Sequence, residues 1–407
     1  GLDYDEGPYY QTQRFDRYRE VVAQLLAEGK AYRCQCSKAR LEALREEQMR
    51  LKQKPRYDGC CRELNLPEGT PDCVIRFKNP VDGEVTFDDA VRGRITFNNT
   101  ELDDLIIARS DGTPTYNLTV VVDDADMNIT HVVRGDDHIN NTPRQINLFA
   151  ALGYSVPQFA HVPMILGGDG KRLSKRHGAV SVLQYREQGI LPEALLNYLV
   201  RLGWGHGDQE LFSLEEMVSL FTLDAVSKAP SCFDEGKLLW VNQHYMKTLP
   251  AALFVPALKQ AFEDAGVDVS RGPSLEAIIG MQKERVKTLV EMVDRSRYFF
   301  QEVTEFEEKA AKKNLKPESE LPLKALRNAF ASLESWTQEG LHQVVLNTAE
   351  QLELKLGKVA QPLRVALTGT AMSPPIDETL MHLDRDVVLR RLDQALAYVD
   401  AIAPPSA

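Results

Sequence analysis

The sequence predicts an α/β fold in its first part, followed by an all-helical second part. Three observations carry this expectation. Residues 73–109 hold three short alternating segments, Val74-Ile75-Arg76-Phe77, Val85-Thr86-Phe87 and Arg94-Ile95-Thr96-Phe97, with turns containing Pro80, Gly83 and Gly93. The apolar run from Leu118 to Val122 stops at Asp123-Asp124, and His131-Val132-Val133 stops at Arg134. Buried parallel strands end this way where the edge of an open sheet faces a ligand, so 118–122 is expected to be such a strand. From Pro250 onward, apolar residues recur at helical spacing over about 251–266, 275–302, 322–335, 338–353 and 386–402.

Composition sets the bounds. A chain of 407 residues suffices for two to four domains. Its 43% hydrophobic and 26% charged residues are those of a soluble globular protein. No apolar run reaches the length of a membrane span, so no membrane partner is expected. A net charge of -11 excludes indiscriminate binding to nucleic acid but leaves room for local basic patches. Six cysteines are too few for a disulfide scaffold of this length and suit reduced cytoplasmic thiols.

The elements follow in order. Phe15, Tyr18, Val22, Leu25 and Leu26 recur on one helical face, which predicts a helix over 12–29 with Gly29 as its stop. Ser37 is a fair N-cap for a charged helix reaching about Gln53. Cys34-Gln35-Cys36 precedes that helix, and Cys60-Cys61-Arg62-Glu63 follows it. Two such pairs could clip a loop around Zn²⁺, or remain unligated thiols. Pro143 belongs in the first turn of a helix opened by Thr142. Pro192 begins and Gly203 ends another helix, and Ser213-Leu214-Glu215-Glu216 is a capping box for the next.

The most informative stretch is Asp169-Gly170-Lys171-Arg172-Leu173-Ser174-Lys175-Arg176-His177-Gly178. Its cations, entered through Gly167-Gly168, suit a polyphosphate, because separate side chains can reach separate phosphate oxygens. Arg172-Leu173-Ser174-Lys175-Arg176 resembles the Lys-Met-Ser-Lys-Ser signature of class I aminoacyl-tRNA synthetases. The longer run from Gly170 to Val182 is similar to that of bacterial glutamyl-tRNA synthetases. The resemblance extends through Thr115-Tyr116-Asn117, Arg134-Gly135-Asp136-Asp137-His138 and Gln361-Pro362-Leu363-Arg364-Val365-Ala366-Leu367-Thr368-Gly369.

The resemblance implies an incomplete Rossmann-type catalytic domain with a connective insertion, then helical stem-contact and anticodon-binding domains. Residues 1–31 would be the remainder of the first catalytic half, and 32–115 the insertion holding the tRNA acceptor end. Residues 116–190 would form the second catalytic half, 191–250 the stem-contact region, and 251–407 the anticodon-binding domains. The implied reaction is ATP-dependent attachment of L-glutamate to tRNA(Glu) through a glutamyl-adenylate. Lys175, Ser174 and Arg172 would be catalytic. Lys175, Arg172, Asp137 and His138 would bind ATP, with Mg²⁺ on its phosphates. Tyr116 and Arg134 would bind glutamate, and Arg364 would read the anticodon. Zn²⁺ would sit on Cys34, Cys36, Cys61 and Glu63, although the family has a histidine at the last position. A cytoplasmic monomer is implied.

The family's second signature, of His-x-Gly-His type, matches none of the eight histidines. That places the first strand upstream of Gly1. The expectation is then a truncated ligase that forms no measurable adenylate as it stands. The alternative is a catalytically inactive tRNA-binding remnant.

Overall fold

The computed structural model describes residues 4–174 and 181–402. The chain divides into two compact units, Gly1–His177 with Leu199–Phe233, and Gly178–Tyr198 with Asp234–Ala407.

In the first unit, a 3₁₀ turn over Gln11–Arg14 leads into helix α1, Phe15–Ala27. It buries Tyr18, Val21 and Leu25, at helical spacing, and stops before Gly29 in the left-handed region. Strand β1 (Ala31–Cys34) follows, then α2 (Lys38–Arg50), whose Ser37 Oγ accepts the Arg40 N–H at 3.2 Å. Strand β2 (Val74–Phe77) lies between β1 and β5 (Ile106–Ala108) in an antiparallel sheet. Between them, β3 (Glu84–Asp89) and β4 (Gly93–Asn98) form an antiparallel hairpin. The expected strands of the 73–109 region are thus present.

The run at 118–122 is not a strand. It lies in helix α3, Tyr116–Asp126, which corrects the sequence expectation. Leu118, Val121 and Val122 are fully buried and Ala125 packs on the same core, at the spacing of one helical face. Four of the five residues from Leu118 to Val122 are apolar, with Thr119 among them, and they carry no period of their own, so α1 and the helix Thr142–Leu152, packed beside them, decide the outcome. Parallel pairing occurs one element later. Strand β6 (His131–Gly135), helix α4 (Thr142–Leu152, with Pro143 in its first turn) and β7 (Gln158–Val162) form a βαβ unit, with Arg134 opposite His161. Strand β8 (Ile165–Leu166) pairs in parallel with β9 (Ser231–Cys232). The core of the unit joins Tyr18, Phe77, Ile107, Leu118 and Phe149. The Ser213 capping box is formed, with both hydrogen bonds present over helix Leu214–Leu220.

The second unit is helical. The expected helix over 275–302 is instead Leu275–Gln282, Leu289–Asp294 and a 3₁₀ turn at Arg297–Phe299. The break is imposed by Thr288, which caps the second piece, and by buried Asn242, which accepts the Leu191 N–H and donates to the Lys287 carbonyl. Gly189 is required there, because a Cβ would meet the Leu289 and Val290 nitrogens at 2.7 and 2.6 Å. Glu308–Asn314, Leu356–Thr368 and Ile376–Met381 are further helices that periodicity alone did not single out. Leu356–Thr368 contains Pro362, which hides it from a propensity reading, yet Val359, Leu363, Ala366 and Leu367 are buried on it. Buried Arg391, on helix Arg385–Ile402, donates to the carbonyls of Leu367, Tyr298 and Gln301 and so holds the helix ends together.

Candidate functional site

Arg134 is the penultimate residue of strand β6, which ends at Gly135, and the chain turns immediately into a 3₁₀ segment over Asp136–Asn141. A Cβ at Gly135 would lie 2.7 Å from Asp137 Oδ1, so glycine lets that carboxylate fold back against the strand end. Arg134 Nε donates to His161 Nε2 at 3.2 Å, and Nη2 donates to Thr142 Oγ1 at 2.8 Å. Among the described residues no carboxylate reaches ion-pair distance of this guanidinium. Burial holds its pKa below the usual value, against the opposing influence of Tyr116, Asp124 and Asp137. Tyr116 opens α3, and its hydroxyl lies 3.4 Å from His138 Nδ1 with the rings 5.8 Å apart. Burial also pushes the Asp124 carboxyl up to about 6, despite the Arg134 charge. The structure thus brings Tyr116, Arg134, Asp137 and His138 into one neighbourhood.

Asp123 and Asp126 do not face a ligand edge. Asp123 accepts from Arg14 Nε at 2.7 Å and from the Tyr18 hydroxyl at 2.8 Å, and Asp126 pairs with Arg14 and Arg17. They fasten α3 to α1.

The basic loop leaves β8 as a tight hairpin, closed by Gly167 N–H to Lys171 O (2.8 Å) and Leu173 N–H to Ile165 O (2.9 Å). Gly170 takes the left-handed conformation that this reversal needs. Arg172 reaches back to Asp137 at 3.3 Å, so the loop and the segment after β6 meet. Ser174 is the last described residue of this run, and Lys175 lies outside the described residues.

Cys34, Cys36 and Cys61 bring their sulfurs within 4.8 Å of one another. Zinc–thiolate bonds of about 2.3 Å in tetrahedral geometry require separations of this order, so three donors fit one Zn²⁺. Glu63 is not brought to the cluster. It is exposed and faces Lys78 at 3.6 Å and Arg62 at 3.9 Å, where it is drawn by charge. Cys60 is also exposed. Two polar groups do reach the sulfurs: Arg40 Nη1 donates to Cys36 at 3.6 Å, and the Tyr57 hydroxyl lies 3.3 Å from Cys34 and 3.7 Å from Cys36 and accepts the Cys61 N–H at 2.9 Å. Sequence reading missed Tyr57. Its one signal was an aromatic residue four positions before a cysteine in an otherwise polar stretch.

Arg364, on helix Leu356–Thr368, donates through Nε to Ser373 Oγ at 3.0 Å. It lines a cavity of about 160 Å³ with Gln282, Arg285, Arg295, Ala371, Met372 and Ser373. Three arginines line it, and among the described residues no carboxylate pairs with any of them. Burial, then the nearby Arg285 charge, lowers the Arg364 pKa. Arg285 and Arg295 were not singled out from sequence, because they come from the broken helical region 69–79 positions earlier in the chain.

Residues 1–240 match the family described as tRNA synthetases class I (E and Q), catalytic domain, and residues 250–396 match an anticodon binding domain. Glutamate–tRNA ligase 1 of Alkalilimnicola ehrlichii is 62% identical over 401 residues, covering 98% of this chain and 85% of that protein. Glutamate–tRNA ligase 2 of Coxiella burnetii is 60% identical over 398 residues, with the same coverage of 98% and 85%. Among solved structures, a glutamate tRNA ligase of Elizabethkingia meningosepticum, in complex with its amino acid, superposes with a TM-score of 0.80 at 31% identity. That match covers 97% of this chain and 85% of the other. The chain therefore belongs to the class I tRNA synthetase family of glutamyl and glutaminyl enzymes.

Proposed function

We infer that this protein attaches L-glutamate to tRNA(Glu) with ATP as the energy source. The observation that carries the assignment of the amino-acid site is Arg134. Its guanidinium is half-buried at a strand end, beside Tyr116, and among the described residues no carboxylate pairs with it. A buried cation with unused N–H donors suits a carboxylate, which it can bind in bidentate fashion. Relatives at 60–62% identity carry ligase names, and the basic loop keeps its cations in this sequence, which favours this reading over an inactive tRNA-binding remnant.

The chemistry follows in two transfers. A glutamate α-carboxylate oxygen attacks the α-phosphorus of ATP, and the bond to the departing pyrophosphate breaks. A ribose hydroxyl at the tRNA 3′ end then attacks the acyl carbon of the glutamyl-adenylate, and AMP leaves with the bonding pair. Both steps need position and charge stabilisation more than covalent help. Tyr116 and Arg134 hold glutamate. Asp137 and His138 lie beside ATP, and Arg172, tied to Asp137, sets the base of the loop that presents Ser174 and Lys175 to the phosphates. Mg²⁺, when bound with ATP, neutralises phosphate charge. Residues 32–115 take the acceptor end, 191–250 the stem, and 251–407 the anticodon, where Arg364 reads a base edge with Arg285 and Arg295 beside it. Cys34, Cys36 and Cys61 would hold Zn²⁺ as a structural ion, with the Tyr57 hydroxyl beside the thiols.

The test is charging of tRNA(Glu) with labelled glutamate, by wild type and by Lys175→Ala. The variant is expected to lose a factor on the order of 10² or more in activation rate while binding tRNA normally. Unchanged pyrophosphate exchange would remove the phosphate role of the loop.

A further inference from the structure

The hydrogen bonds behind Arg134 form a chain that ends on the β3–β4 hairpin. His161, on β7, is fully buried, and Asp89, the last residue of β3, is 3% exposed. Asp89 Oδ2 lies 2.5 Å from His161 Nδ1. Its other oxygen accepts the backbone N–H groups of Val91, Arg92 and His161 at 3.0, 2.8 and 3.1 Å. On the far side of the ring, Nε2 faces Arg134 Nε at 3.2 Å and Thr142 Oγ1 at 3.0 Å.

The donor inventory leaves one arrangement. A guanidinium cannot accept, so Nε2 must carry its lone pair toward Arg134, and the imidazole proton must sit on Nδ1, donated to Asp89. Burial, which outweighs the Asp89 carboxylate and acts with the Arg134 charge, holds His161 below its ordinary pKa and therefore neutral. Arg134 commits Nε–H to His161 and one Nη2–H to Thr142. Of the three remaining N–H groups, one on each terminal nitrogen forms the fork that binds a carboxylate end-on, and Tyr116 also interacts with the guanidinium.

We infer that Asp89 and His161 are positioning residues for glutamate. Asp89 fixes the tautomer of His161, and His161 holds the inner edge of the Arg134 guanidinium so that its terminal fork stays aimed at the substrate. The inference rests on the reading of Arg134 as a glutamate-binding residue. It also joins two regions of the chain. Asp89 belongs to the hairpin of the 32–115 insertion, whose Ala90 N–H binds the Phe159 carbonyl on β7 and whose Arg92 pairs with Asp136. Displacing this hairpin would loosen Arg134.

Asp89→Asn is the discriminating change. Asparagine keeps an oxygen for the three backbone N–H groups, but its NH₂ faces His161 Nδ1 and forces the proton onto Nε2, toward Arg134. Two donors then oppose each other in a buried site. The KM for glutamate is expected to rise about tenfold or more, the effect of an unmade buried hydrogen bond, with the KM for ATP near wild type. An unchanged glutamate KM would overturn the inference. Should Asp89→Asn fail to fold, His161→Gln, which offers an acceptor oxygen near the Nε2 position, is compared with His161→Phe, which offers none. Glutamine should retain glutamate affinity better than phenylalanine, and equal effects would count against positioning. Nitrogen-15 spectra of labelled wild type should show His161 neutral with the proton on Nδ1, and the other tautomer or an imidazolium would refute the scheme. Arg134→Ala separates the two claims. If it leaves the glutamate KM intact, the reading of Arg134 fails, while the tautomer measurement still judges the Asp89–His161 pair.

Discussion

Replacing Arg364 with glutamine should separate recognition from stability. Arg364 donates one hydrogen bond to Ser373, and it shares a cavity of about 160 Å³ with Arg285 and Arg295. A cavity of roughly 150 Å³ holds a benzene-sized ring, so this one suits the edge of a single base. Loss of the hydrogen bond costs about 1 kcal/mol, while removal of one of three unpaired like charges offsets part of that. The net stability change is expected to stay within ~1 kcal/mol. Recognition behaves differently. An arginine fork on a base edge supplies roughly 1–3 kcal/mol of discrimination, about 5-fold to 150-fold in relative charging efficiency. The assay compares kcat/KM for tRNA(Glu) and for transcripts altered at each anticodon position, with melting curves of both proteins. Arg364→Gln should narrow the gap at one position and leave glutamate and ATP binding intact. A uniform loss across all transcripts, or a large fall in melting temperature, would mean that Arg364 is a structural residue.

Two further outcomes are expected. Protein purified without chelator should contain one Zn per chain, and Cys61→Ser should lose the metal and lower stability, whereas Glu63→Ala should retain it, because Glu63 faces Lys78 and not the thiols. Metal-free wild type with freely alkylated thiols would refute the site. The pH dependence of stability should carry the mark of Asp124, whose carboxyl is pushed up to about 6 chiefly by burial. The fold then binds this proton more tightly than the unfolded chain does, so its contribution is full below the ordinary carboxyl pKa and is lost as pH rises toward 6. The loss is at most about 3 kcal/mol. Asp124→Asn should flatten the fall in stability between about pH 4 and 7 relative to wild type, as read by melting temperature, and identical slopes would exclude the assignment.

What was legible in the sequence was chemistry held in contiguous segments. The Ser213 capping box and the Ser37 cap form as read, because each depends on residues three apart. Helix α1 follows from the spacing of Phe15, Tyr18, Val22 and Leu25, which tertiary packing merely accepts. The misreading of 118–122 has the opposite cause. Leu118 to Val122 would serve a buried strand or a buried helix equally, and only the faces of α1 and α4 distinguish them. The break at 283–288 is similarly remote in origin, since Asn242 and Gly189 lie far away in sequence.

The site shows the same division in sharper form. Arg134, Asp137 and His138 were visible because they sit together in one motif. The groups that hold Arg134 were not, because Asp89 and His161 are separated by 72 positions and meet only when the hairpin docks on β7. A carboxylate ending a hairpin strand and a histidine within the apolar Phe159–Val162 stretch each look ordinary alone. Their joint burial gives them meaning, since an ionised carboxylate and an imidazole removed from water must satisfy one another or destabilise the fold. Once Asp89 is satisfied on one side by backbone N–H groups and on the other by the imidazole, the protonation of His161 is no longer free. The direction of the Arg134 fork then follows from that tautomer, so its geometry is set as much by a residue of the β3–β4 hairpin as by the strand that bears the arginine.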